Sequence, residues 1–201
     1  PVQLTTGNDT YIRSLSWSPD SKTVLYTDRK NRIVTVDVAS KTKNIVMQNP
    51  EQEFYGVNFS PDSRWITYTK PAANDFSVVY VYNLATKQEY PVTEKWYNSS
   101  SPVFSTDGKY LIFESDRDFN PSYGRLEWNH VYTRMGGIYL ALLTNDTPSP
   151  FLPADEAVNS DKEEEAGKVP AKDAKKKDIK TEDKAVEIAP EGIAGRIVKL
   201  P

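Results

Sequence analysis

A nine-residue pattern recurs three times along this 201-residue chain and constrains its fold more than any other feature. Ser14-Leu15-Ser16-Trp17-Ser18-Pro19-Asp20-Ser21-Lys22 returns as Gly56-Val57-Asn58-Phe59-Ser60-Pro61-Asp62-Ser63-Arg64. It returns again as Ser101-Pro102-Val103-Phe104-Ser105-Thr106-Asp107-Gly108-Lys109. Ser18, Ser60 and Ser105 are spaced by 42 and then 45 residues. A period of about 40–50 residues is that of a four-stranded propeller blade. In each unit a strand ending in an aromatic residue and serine runs into a turn. Proline presets φ at the second turn position, and Asp, Ser or Gly suit the positions that follow.

The remainder of each unit repeats as well. Second strands are predicted at residues 23–27, 65–69 and 110–115, and third strands at 33–38, 78–84 and 138–143. These runs are rich in β-branched and aromatic residues and short enough for strands. Outer strands follow at 44–48 and 89–93. The expected fold is an all-β β-propeller with three four-stranded blades, at about residues 11–49, 53–95 and 98–153, plus parts of flanking blades. Residues 1–5 resemble Tyr90-Pro91-Val92-Thr93 and read as the outer strand of a preceding blade. Their Pro1-Val2-Gln3-Leu4-Thr5 sequence also reads as the interior of a longer protein. Trp17, Phe59 and Phe104 are assigned to packing between blades, since large aromatics are buried more often than they stack on ligands. Asp20, Asp62 and Asp107 are assigned to turn formation, not to acid–base chemistry.

Composition narrows the functions available. There is no cysteine, which excludes disulfides and thiolate metal sites but leaves the compartment open. The net charge of −3 lies wholly between Asp155 and Glu187, where eleven acidic residues face eight basic ones, so the body is neutral. A neutral body offers no electrostatic footprint for a phosphate backbone, and nucleic acid is not an expected partner. No apolar run approaches the roughly 20 residues needed to span a bilayer, and no membrane partner is expected.

The third unit carries about 14 extra residues between Asp116 and Arg134. Long loops within compact folds are often functional, and this one mixes aromatics and charges with the chain's one histidine. Arg125, Glu127, His130 and Arg134 are the candidate binding residues. Asp116, Asp118, Asn120, Ser122 and Glu127 mimic calcium-loop spacing, but Pro121 stands where that loop needs glycine. A Ser-His-Asp triad through His130 lacks the G-x-S-x-G elbow that would expose a nucleophile. No P-loop, dinucleotide fingerprint or H-E-x-x-H helix is present. No catalytic residue, metal ligand or cofactor is therefore assigned.

After Pro153 the composition shifts to Lys, Glu, Asp and Ala without aromatics. Residues 155–187 are expected to form a disordered charged linker, because they bury too little surface to offset ordering entropy. Order is expected to resume near Ala185. Residues 188–201 would then return to the propeller, with a strand at 196–200 in the outer position of the next blade.

The Ser-Pro-Asp turns resemble the repeats of TolB and tricorn propellers. More specific are Phe119-Asn120-Pro121-Ser122-Tyr123, Glu127-Trp128-Asn129-His130, Ile138-Tyr139-Leu140 and Asp146-Thr147-Pro148-Ser149-Pro150-Phe151, which together resemble the tricorn proteases. Val186-Glu187-Ile188, Glu191-Gly192-Ile193 and Arg196-Ile197 are similar to the same family, with Ala189 in place of an expected acidic residue. The resemblance implies a non-catalytic propeller segment of a serine peptidase that guides or gates oligopeptides. Its partners would be oligopeptides and the peptidase domains of the same parent chain, and a homo-oligomer is possible. The family's catalytic motifs have no matching positions here. The resemblance implies a cytoplasmic location, with a periplasmic or extracellular one as the alternative. The competing reading is a stand-alone TolB-like protein-interaction propeller; a third is a propeller cap on an α/β-hydrolase peptidase.

Overall fold

The turn that carries the repeat explains why the strands start and stop where they do. In each unit the serine hydroxyl donates to the aspartate two residues on, at 2.6 Å in all three (Ser18–Asp20, Ser60–Asp62, Ser105–Asp107). The same hydroxyl accepts the N–H five residues on, from Thr23, Trp65 and Tyr110 at 2.9–3.0 Å. The residue after the aspartate is left-handed, with φ of 60° at Ser21, 61° at Ser63 and 68° at Gly108. In each aspartate one oxygen, Oδ1, is thus engaged within its own turn. Hydrogen bonding to Ser18 holds the Asp20 carboxyl below the usual carboxylate range.

The computed structural model describes residues 2–118, 121–124, 130–131, 135–151 and 185–201, with the His130 side chain excepted. The first blade comprises β1 (Ile12–Trp17), β2 (Thr23–Asp28), β3 (Arg32–Asp37) and β4 (Lys43–Gln48). The second comprises β5 (Tyr55–Phe59), β6 (Trp65–Pro71), β7 (Ser77–Asn83) and β8 (Gln88–Pro91). The third begins with β9 (Ser99–Phe104) and β10 (Tyr110–Ser115). A two-stranded ribbon, β11 (Ser122–Tyr123) and β12 (His130–Val131), precedes β13 (Gly137–Leu142), and β14 (Ile197–Lys199) ends the chain's strands. The first two sheets are ordered β1-β2-β3-β4 and β5-β6-β7-β8, and the third is β9-β10-β13-β14, all antiparallel.

Two expectations at the ends of the chain are corrected. Residues 2–8 form no strand; Leu4 instead packs on the face of β2 and β3 beside Val24, Tyr26, Val34 and Val36. The strand expected in the next blade closes the third one, pairing Tyr139 with Lys199, Leu140 with Val198 and Ala141 with Ile197. The reason is local. Pro148 and Pro150 lack the N–H an adjacent outer strand would need, so the open edge of β13 is paired by chain arriving from much later.

Residues 152–184, most of the expected linker, lie outside the described residues. Of its last three residues, Val186 is already buried.

The two larger core clusters lie between blades. Leu25 and Ile33 of the first blade meet Ile66, Tyr68, Val78 and Tyr80 of the second, where Tyr68 stacks on Tyr80 and meets Phe54 edge-on. Trp65, Val79 and Val81 of the second blade meet Phe104, Leu111, Phe113 and Tyr139 of the third. The repeated aromatic follows this logic. Phe104 is 7% exposed and Phe59 partly buried, each against the preceding blade, whereas Trp17 is 53% exposed on the far face of the first blade. At the first interface Lys70 donates to both oxygens of Glu89 at 2.6 and 2.8 Å, and Tyr68 donates to the same carboxylate.

Candidate functional site

The third-unit insertion projects from the end of β10. Its described part is the short ribbon in which Tyr123 pairs with His130 and Ser122 with Val131. Tyr123 is 73% exposed at its surface. Arg125, Glu127 and Arg134 lie outside the described residues, and of His130 only the backbone position in β12 is defined. The four candidate residues are therefore not placed as a cluster.

The base of the insertion is fixed by two residues absent from that set. Arg117 donates to Glu94 of the preceding loop at 3.0 Å, and its guanidinium lies 5.5–6.0 Å from the ring centres of Tyr97, Phe113 and Tyr139. Asp118 pairs with Lys199 of β14, and its backbone N–H reaches Met135 O at 3.2 Å. Lys199, then Tyr139, hold the Asp118 carboxyl below the usual range. A carboxylate so engaged braces the base of the insertion against β14. Among the described residues no group of three His, Asp or Glu side chains is arranged to hold a metal ion.

A second concavity opens along the inner edge, between β1 and β5. It is a cleft of about 410 Å3 whose walls include Arg13, Ser14, Ser16, Tyr55 and Asn58. Arg13 forms an ion pair across the blade boundary with Glu53, which precedes β5. Arg13, followed by the Tyr55 hydroxyl, lowers the Glu53 carboxyl. Asn58 Nδ2 donates to Gly56 O and to Pro102 O of β9, both at 3.1 Å, tying the next inner strand to the same edge. Each inner strand carries a register irregularity or bulge near its start, and Gly56 takes a φ of 60° there. A Cβ at Gly56 would stand 3.0 Å from Pro102 Cδ, so the close approach of β5 to β9 depends on glycine.

The hydroxyls along this edge bond to one another, Ser14 to Thr27 at 2.6 Å and Ser99 to Ser115 at 3.0 Å. Sequence reasoning missed Arg13, Glu53 and Tyr55 because they belong to different repeats and meet only across a blade boundary.

Comparison with known proteins places this architecture. The family model for the tricorn protease second beta propeller domain matches residues 2–201. The chain is 28% identical over 151 residues to tricorn protease homolog 1 of Streptomyces coelicolor, covering 75% of this chain and 14% of that protein. It is 27% identical over 154 residues to a putative tricorn-like protease C-terminal subunit of Sulfurisphaera tokodaii, covering 77% of this chain and 18% of that protein. The chain thus spans less than a fifth of the length of these relatives. A crystal structure of the tricorn protease superposes with a TM-score of 0.73 at 17% identity, over 98% of this chain and 18% of that one, a likeness of fold. With its three repeats in three four-stranded blades, the chain belongs to the tricorn protease second β-propeller domain family.

Proposed function

We propose that this chain is a non-catalytic propeller segment of a tricorn-type serine peptidase and that it guides oligopeptides toward catalytic domains elsewhere in the parent. The observation that carries this reading is the inner-edge cleft between β1 and β5. Among the described residues β1 has one sheet neighbour, β2, and its other edge offers backbone N–H and C=O groups to that cleft. An extended peptide is the ligand that satisfies such an edge, by main-chain hydrogen bonds with little demand on sequence. The Arg13–Glu53 pair and the Tyr55 ring supply charge and apolar contact beside it. The insertion with Arg125, Glu127, His130 and Arg134 is the second element assigned to peptide contact.

The test is substrate length. In the parent peptidase, Arg13→Ala with Tyr55→Ala is expected to slow hydrolysis of peptides of about ten residues or more severalfold. Turnover of a short chromogenic substrate should stay unchanged. Alanine at Arg125, Glu127, His130 and Arg134 together is expected to do the same. Unchanged processing of long peptides by both folded variants would refute the guiding role.

A further inference from the structure

A notch between the turns of the second and third blades holds one residue of this chain by every group it has. Val186 donates its N–H to Asp62 Oδ2 at 2.7 Å, and its carbonyl accepts from Trp65 Nε1 at 3.2 Å. Its side chain is 6% exposed, within the core cluster that includes Trp65 and Phe104. Ala185 and Glu187 on either side are exposed. Reading both backbone groups and one alternate side chain is how extended peptides are recognised.

The notch is built and is not an accident of the repeat. At the turn position where the other blades carry Ser21 and Ser63, the third carries Gly108. Val186 Cγ2 stands 2.8 Å from where a Cβ on Gly108 would be. Between the first and second blades no such room exists, since the Ser63 hydroxyl fills it and accepts from Asp20 N–H at 3.2 Å. Trp65 is equally particular to its unit, replacing Thr23 of the first blade. Asp62 keeps its second oxygen for the guest, because Oδ1 already serves Ser60 and Arg64 N–H.

We propose that this notch is a peptide-recognition site filled in cis by residues 185–187, and that it takes an extended peptide centred on valine when the resident segment is withdrawn. The specificity lies in the central residue: a β-branched aliphatic side chain reaches the space over Gly108, whereas a carboxylate there would face Asp62. The inference does not depend on the guiding role above, since it concerns a different face and needs no peptidase.

The experiment uses the full chain with 15N-labelled indoles. Val186→Asp is expected to empty the notch and move the Trp65 Nε1–H signal. A peptide copying residues 184–188, acetylated and amidated, should return that signal saturably toward its wild-type position at concentrations near 1 mM, the weak end of specific binding. The same peptide with aspartate for its valine should not, nor should the copy act on a Val186→Asp chain that also carries Gly108→Ser. If Val186→Asp does not fold, Val186→Ala replaces it under the same criterion. A Trp65 signal indifferent to several millimolar copy peptide in a folded variant would overturn the proposal and make the contact a fixed joint.

Discussion

Replacing Gly108 by serine isolates what the third turn does for the fold. Serine already occupies the equivalent left-handed positions at φ of 60° and 61° in the first two blades, so the turn itself accepts a side chain. A left-handed non-glycine residue costs about 1–2 kcal/mol. The larger penalty is steric. A Cβ 2.8 Å from Val186 Cγ2 cannot be accommodated without moving a residue buried between two blades, and overpacking of this kind costs about 1–3 kcal/mol. Gly108→Ser should therefore destabilise the chain by about 2–5 kcal/mol. In a Val186→Ala background the offending methyl is gone and only the backbone share, about 1–2 kcal/mol, remains. The two substitutions are thus coupled by about 1–3 kcal/mol, well outside the roughly 0.5 kcal/mol scatter of independent sites. Urea unfolding of the four proteins measures this. With an m-value near 2 kcal/mol/M, the coupling appears as a midpoint difference of about 0.5–1.5 M. Equal costs of Gly108→Ser in both backgrounds would refute the reasoning and return the glycine to a purely conformational role.

Other perturbations test the blade interfaces and the charges around them. Phe104→Ala should cost about 3–5 kcal/mol by cavity formation, whereas Trp17→Ala at the same repeat position should stay within about 1 kcal/mol, because half of its surface is exposed; equal losses on urea unfolding would contradict the packing assigned to the first blade. Thr69 buries a hydroxyl that has no hydrogen-bond partner among the described residues, so Thr69→Val should leave stability unchanged or raise it by up to about 1 kcal/mol, and a loss would mean that the hydroxyl is satisfied. Glu53, lowered by Arg13, and Asp118, lowered by Lys199, are ionised more readily folded than unfolded. Their stabilisation is complete above the ordinary carboxylate range near pH 4 and lost as pH falls below it; a urea midpoint that is flat from pH 6 to pH 3 would exclude both pairs. Tyr139, pushed up to about 12 by burial and then by Asp118, and Tyr68, raised further by burial and Glu89, stay neutral in the fold after unfolded tyrosine ionises near pH 10. Stability should hold below pH 10 and decline above it, and a midpoint unmoved between pH 9 and pH 11.5 would refute this.

What the sequence disclosed and what it withheld divide along the distance over which the bonds act. Ser18, Asp20 and Thr23 bond within five residues, so the turn, its two recurrences and the strands beside it are written in a short window. The outer strand of the third blade is not, because β13 offers the same edge whether its partner comes from the next turn or from residues 197–199. Pro148 and Pro150, which have no N–H to give that edge, are the one local sign of the choice.

The two proposed sites stand at the far end of the same scale. Val186 meets Asp62, Trp65 and Gly108 across the charged stretch, and Arg13 meets Glu53 across a blade boundary. Yet the notch left one local trace. The third repeat reads Thr-Asp-Gly where the others read Pro-Asp-Ser, a change the turn did not need, since serine adopts the same φ twice. In a repeat protein every unit solves the same folding problem with the same residues. A departure that the unit itself does not require therefore marks a place where something from outside the unit must fit.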